Sequence, residues 1–143
     1  MKMTPEAFEL RVVSYKEHRN DIQHIRTQVF ILEQGIPESL EWDHFEHSSW
    51  HILAFSDSNA VATGRLQQDG KITRIAVLKP WRNMGLANRM IETLIQLADD
   101  QGLKSLYLNA QTSATGLYEK HGFTGSGEIF DEGGIEHIRM QRL

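Results

Sequence analysis

Between residues 71 and 111 one pattern restricts the fold more than any other: a strand, a proline, an amphipathic helix closed by glycine, and a second strand. The apolar residues Ala87, Ile91, Leu94, Ile95 and Ala98 recur at the helical period and form one stripe, and Gly102 supplies the stop. Residues 71–77 before the helix and 105–110 after it are short apolar runs that read as strands. Pro80 ends the first of them because it brings no amide proton to a ladder. Strand, helix and strand in this order make a βαβ unit, for which parallel pairing is expected.

The flanking segments extend the same sheet. Residues 8–13 read as a first strand, followed by a helix carrying Ile22, Ile25, Val29 and Leu32 at helical spacing, with Asn20 or Asp21 as its N-cap and an end near Gly35 and Pro37. The polar stretch 38–49 reads as a connection with room for a helical turn. Residues 50–55, 60–67 and 71–77 form an antiparallel meander through turn signals at 56–59 and at Asp69 and Gly70. Residues 114–121 hold a short helix, and 123–130 and 137–143 read as final strands around Gly133 and Gly134. The expected architecture is α+β, a mixed and mostly antiparallel sheet of six or seven strands with helices on both faces.

At 143 residues, with 40% hydrophobic and 24% charged content, the chain reads as one domain that encloses its own core. No apolar run approaches the roughly 20 residues of a membrane helix. The first six residues meet Glu6 before any apolar stretch, so no leader is expected and a cytoplasmic protein is. With no cysteine, disulfides, thiolate metal sites and cysteine nucleophiles are excluded. His44, His47 and His51 near Asp43 and Glu46 match no zinc spacing, and no metal site is expected.

The net charge of -4 gives no reason to expect nucleic acid as a partner, but its distribution is uneven. Residues 27–64 contain Glu33, Glu38, Glu41, Asp43, Glu46 and Asp57 and no lysine or arginine. Residues 71–90 contain Lys71, Arg74, Lys79, Arg82 and Arg89 and no acid. One chain thus offers a cation-friendly surface and an anion-friendly one. Within the second, Arg82, Asn83, Met84, Gly85, Leu86 and Ala87 lie where a strand passes into the helix. A turn there aims free amides and the positive end of the helix dipole at one point, which suits a phosphate or pyrophosphate, and small residues let the anion approach.

The ordered pattern strand, Arg82-x-x-Gly85-x-Ala87, helix, strand, then Ala114-x-x-x-Tyr118-x-x-x-Gly122-Phe123, resembles the GNAT superfamily of N-acetyltransferases. The segment Arg26-x-x-Val29-Phe30-x-x-Glu33-Gln34-Gly35-Ile36-Pro37, with Glu41-x-Asp43, Leu108 to Gln111 and Gly134-Ile135-x-His137, is similar to the ElaA-like branch. The resemblance implies the GNAT-like acyl-CoA N-acyltransferase fold, with acetyl-CoA as donor and its pantetheine arm in a gap between two splayed strands. It assigns Ile75, Ala76 and Val77 to the strand edge that pairs with pantetheine, and Arg82, Asn83, Met84, Gly85, Leu86 and Ala87 to the pyrophosphate loop. Asn109, Gln111 and Tyr118 complete the cofactor side, residues 71–143, with Gln111 standing where many relatives have an asparagine. Residues 1–70 form the acceptor side.

Tyr118 is the expected general acid, since a departing thiolate leaves better when a phenol protonates it. The amide of Val77 is a candidate oxyanion donor. The general base is sought among Glu33, Glu41, Asp43 and His137, which also form the candidate acceptor-binding set, and Glu33 leads by its place at the end of the first helix. The expected function is direct transfer of an acetyl group from acetyl-CoA to an amine, with a cationic small molecule or peptide anticipated from the acidic run. The competing class is a CoA-binding sensor or interaction module without turnover. A monomer or homodimer is expected, with neither nucleic acid nor membrane as partner.

Overall fold

The computed structural model describes residues 7–143; residues 1–6, where the absence of a leader was read, lie outside them. Strand β1 (Glu9–Val13) leads into helix α1 (Tyr15–Arg26), which continues as a π-helical segment, Thr27–Glu33, and then the short α2 (Glu38–Glu41). Strands β2 (Trp50–Ser56), β3 (Asn59–Leu66) and β4 (Ile72–Val77) follow, then α3 (Leu86–Asp100) and β5 (Leu106–Gln111). The chain closes with α4 (Thr115–Glu119), β6 (Thr124–Glu132) and β7 (Ile135–Arg142). No helix among the described residues is long and apolar enough to cross a membrane.

The strands form two antiparallel groups, ordered β1-β2-β3-β4 and β5-β7-β6. The parallel pairing expected of the βαβ unit shrinks to one bridge, Lys71 with Tyr107, where the Tyr107 amide donates to the Gly70 carbonyl at 3.1 Å. Beyond that bridge β4 and β5 part. A bulge in β4 explains the departure: the register jumps from Thr73 opposite Arg65 to Ala76 opposite Thr63, and Arg74 takes a left-handed φ of 58°. The extra residue bends the strand and withdraws backbone groups from the ladder.

Each sheet face carries its own core. On one side Leu86, Met90, Ile91, Leu94, Leu97 and Ala98 of α3 are buried against Ile52, Ala54, Leu66, Ile72, Leu106 and Leu108. The stripe is rotated from the expected one, for Ala87 and Ile95 lie at its half-buried margin. Gly64 lets the helix approach: a Cβ there would stand 3.1 Å from Leu94 Cδ1. On the other side Tyr15, Ile22, Ile25, Val29 and Phe30 pack on Leu53, Phe55 and Ala76. Helix α1 starts earlier than expected, with Ser14 as N-cap accepting the Glu17 amide at 3.2 Å.

Candidate active site

The loop expected to receive a pyrophosphate lies where β4 turns into α3. Leu78 is still tied to β3, its amide donating to Val61 O at 2.9 Å. Asn83 (φ 65°) and Gly85 (φ 79°) then take left-handed backbone, and Gly85 caps α3 with no side chain closing the first turn. The leading amides of a helix fifteen residues long therefore keep their hydrogen-bonding capacity for an anion. These residues fall within the stretch Arg82, Asn83, Met84, Gly85, Leu86 and Ala87 that is expected to receive a pyrophosphate. Ile75 and Val77 point toward the α3 core and Ala76 toward α1, so the edge of β4 next to the gap is backbone.

Helix α4 brings Tyr118 into the α3 core, edge-on to Phe123 with ring centroids 6.1 Å apart. Burial pushes its phenol up to about 12. The hydroxyl is thus kept protonated, but less acidic than an ordinary phenol.

Arg82 does not stand free. Its Nη1 and Nη2 donate to Glu33 Oε2 and Oε1 at 2.6 and 2.7 Å, and its Nε donates to the Val77 carbonyl at 2.8 Å. The hydrogen bonds from Arg82 lower the pKa of Glu33, which makes that carboxylate a poorer base than the sequence suggested. The π-helical segment carries this carboxylate, and its wide turn closes through Gln34 N to Val29 O at 3.1 Å.

The acidic run is not uncompensated. Arg26, Arg65 and Arg74, from outside its limits in sequence, fold onto it. Arg26 Nε donates to Glu41 Oε2 at 2.7 Å, Arg65 Nη2 to Asp43 Oδ2 at 2.8 Å, and both arginines engage Glu46. Arg74 reaches Asp43 at 3.3 Å and the Glu41 carbonyl at 2.9 Å. Glu41 is 2% exposed. Burial alone would raise Asp43, but hydrogen bonds from Arg65 and from the Phe45 amide outweigh it and hold the carboxyl well below the ordinary range. Asp43 and Glu46 border a separate hollow of about 540 Å³, lined also by Tyr15, Gln23 and Trp42. Glu41 and Asp43 are therefore arginine partners that pin the 38–49 segment to the sheet, a correction to their reading as free acceptor ligands.

Asn109 and Gln111, expected on the cofactor, occupy the β5 face away from α3, since Leu106, Leu108 and Ala110 fill the α3 side. The Gln111 amide donates to Gln34 Oε1 at 3.0 Å. Opposite Gln111 on β7 stands His137, and opposite His137 on β6 stands Phe130. The hairpin between β6 and β7 reaches the same end: a Cβ on Gly133 would lie 3.4 Å from Ile36 Cγ1. Sequence reasoning missed this hairpin as a charged surface. Residues 122–138 hold Glu128, Asp131, Glu132 and Glu136 and no lysine or arginine, the same kind of imbalance that drew attention to 27–64.

Parted strand edges, a helix start with free amides and a half-buried phenol are compatible with an acyl-CoA-dependent acyltransferase, and the comparisons give the family. Residues 5–143 match the acetyltransferase (GNAT) domain, and the chain belongs to that family. It is 34% identical over 135 residues to an uncharacterized N-acetyltransferase, YjcF, of Bacillus subtilis, covering 92% of this chain and 96% of the relative. Protein ElaA of Escherichia coli is 28% identical over 126 residues, 82% of either chain. The crystal structure of ElaA superposes with a TM-score of 0.86 at 23% identity over 94% of this chain and 99% of that one. A GNAT acetyltransferase of Elizabethkingia anophelis solved with acetyl-CoA bound shares the fold, with TM-score 0.67 and 19% identity over 96% and 98% of the two chains.

Proposed function

We propose that the chain moves the acetyl group of acetyl-CoA to an amine within a ternary complex, without an acetylated enzyme. The observation that carries this reading is the parting of β4 from β5 beyond the Lys71–Tyr107 bridge, with the Gly85 turn at the far end of β4. An extended amide chain fits such an edge as an added strand, and a pyrophosphate fits the amides of the helix start. The acetyl-CoA held by the Elizabethkingia neighbour supports this choice of donor.

In this reading Ile75, Ala76 and Val77 offer backbone to pantetheine, and the backbone of Arg82 to Ala87 receives the phosphates while the Arg82 guanidinium stays on Glu33 and Val77. The Val77 amide polarises the thioester carbonyl. Tyr118 gives the departing sulfur its proton. Asn109 and Gln111 shape the floor of the gap on the side from which the amine arrives. The hairpin acids Glu128, Asp131, Glu132 and Glu136 favour a cationic amine, in place of the arginine-paired acids of 27–64.

The test is a panel of monoamines, polyamines, aminoglycosides and peptides, with thiol release as readout. At least one amine is expected to draw thiol from acetyl-CoA. Binding of acetyl-CoA with no release for any amine would favour the sensor class instead.

A further inference from the structure

We propose that His137 is the general base of this transfer, its Nε2 taking the proton from the acceptor ammonium; the assignment rests on the acetyltransferase reading above. The carboxylates nominated from sequence are all engaged. Glu33 is held by Arg82, Glu41 by Arg26 and Arg74, and Asp43 by Arg65 and Arg74. A carboxylate bound to guanidinium accepts a further proton poorly.

His137 has the opposite arrangement. It is 8% exposed, and its Nδ1 lies 2.7 Å from the Ile135 carbonyl. A carbonyl only accepts, so Nδ1 carries the hydrogen and the neutral ring presents an unprotonated Nε2. Among the described residues no hydrogen bond reaches Nε2. The ring stacks on Phe130, with centroids 6.0 Å apart and planes inclined by 26°, which fixes its orientation. This is the tautomer a base requires, locked by a second atom of the same ring.

Its place in the fold is equally specific. Residues directly opposite in an antiparallel pair share a face, so His137 stands on the side of Gln111, at the end of β5 where the gap is open. On that face lie Arg139, two residues along β7 with its guanidinium 4.4 Å from the Tyr107 ring centre, and Glu132 of β6 near the hairpin tip. Asp131 and Glu136 face each other on the reverse of the hairpin. The facing turn contributes Gln34 and Ile36, which are uncharged, and Glu33, which is tied to Arg82.

The proton count closes. One ammonium proton passes to Nε2 and leaves to solvent; the freed nitrogen attacks the thioester carbon, the C–N bond forms and the C–S bond breaks. The second N–H proton lost as the amide forms balances the one given to sulfur.

The experiment is the pH profile of kcat/KM for the best amine, in the wild type, His137→Gln and His137→Ala. An imidazole base gives a limb rising between about pH 5 and 8. The variants are expected to lose about 10²-fold or more and to lose that limb, with acetyl-CoA affinity unchanged and added imidazole restoring part of the rate to His137→Ala. Nitrogen NMR of the labelled wild type is expected to show the Nδ1-protonated tautomer, a readout that needs no variant to fold. An active wild type without the rising limb, variants that retain rate and limb, or the opposite tautomer would overturn the assignment. A wild type that releases no thiol with any amine overturns the acetyltransferase reading, and the base with it.

Discussion

Arg82 and Glu33 meet through two parallel hydrogen bonds of 2.6 and 2.7 Å across 49 positions of sequence, while the same guanidinium holds the Val77 carbonyl at 2.8 Å. One side chain thereby joins the π-helical segment to the end of β4. The fork geometry that suits a carboxylate suits a phosphate equally, and here it is spent on the protein itself.

The pair is about a third exposed on each side, so its charge contributes little to stability. Glu33→Gln is expected to cost less than about 1 kcal/mol in denaturant melts and to leave the pH dependence of kcat/KM in place. Arg82→Met loses the Val77 contact as well and so the tether that sets the end of β4, and its KM for acetyl-CoA is expected to rise by up to about tenfold. Steady-state titration of both substrates separates the two variants. Loss of the rising pH limb in Glu33→Gln would return the base to that residue.

Tyr118→Phe keeps the ring that packs on Phe123 and removes the proton source. kcat is expected to fall about 10²-fold or more with the melting temperature and acetyl-CoA affinity retained. An acyl donor with a more acidic thiol should recover part of the rate. A fall in melting temperature with unchanged turnover per folded molecule would mark the tyrosine as structural.

Glu41 lies buried between Arg26 and Arg74, so Glu41→Gln leaves cationic charge without its partner. The expected loss is about 3 to 5 kcal/mol of unfolding free energy, with acceptor KM unchanged for the molecules that remain folded. Chemical denaturation and kinetics on one preparation check both halves. Full stability with a raised acceptor KM would restore Glu41 to the acceptor site.

His51 is 1% exposed, donates to the Glu46 carbonyl at 2.7 Å, and burial holds its pKa down to about 4 against 6.5 for the free side chain. The folded chain therefore prefers the neutral ring. That preference is fully present above pH 6.5 and is lost as pH falls through 4, a contribution of about 3 kcal/mol at most. His51→Gln should show a flatter melting temperature between those pH values. Parallel curves for the two proteins would remove His51 from the acid response.

What periodicity and turn chemistry determine locally was readable in the sequence: α3, the meander turn at Asp69 and Gly70, and the loop ending at Gly85. The start of α1 was not, because between Ser14 and Ile22 only Tyr15 is buried, and the apolar stripe that marks a helix begins after its first turns. The π-helical turn has no separate residue signature, since a wider turn can bury the same kind of apolar residues as an α-helix. The acid run misled for a different reason. Charge counted in a window of sequence cannot see that Arg26, Arg65 and Arg74 converge on Glu41, Asp43 and Glu46 only when α1, β3 and β4 pack together. His137 was one of four base candidates, and only the hydrogen bond to Ile135 separates its two nitrogens.

Direct transfer from acetyl-CoA to an amine is tested most closely by following the acetyl group itself. The chain is mixed with acetyl-CoA carrying a deuterated acetyl group, first alone and then with the amine panel, and both chain and amines are weighed by mass spectrometry. The chain mass is expected to stay unchanged before the amine is added, and the labelled acetyl group to arrive on amine nitrogen with one thiol released for each group moved. Label that settles on the chain and passes on from there, or that never leaves CoA with any amine, would contradict the account.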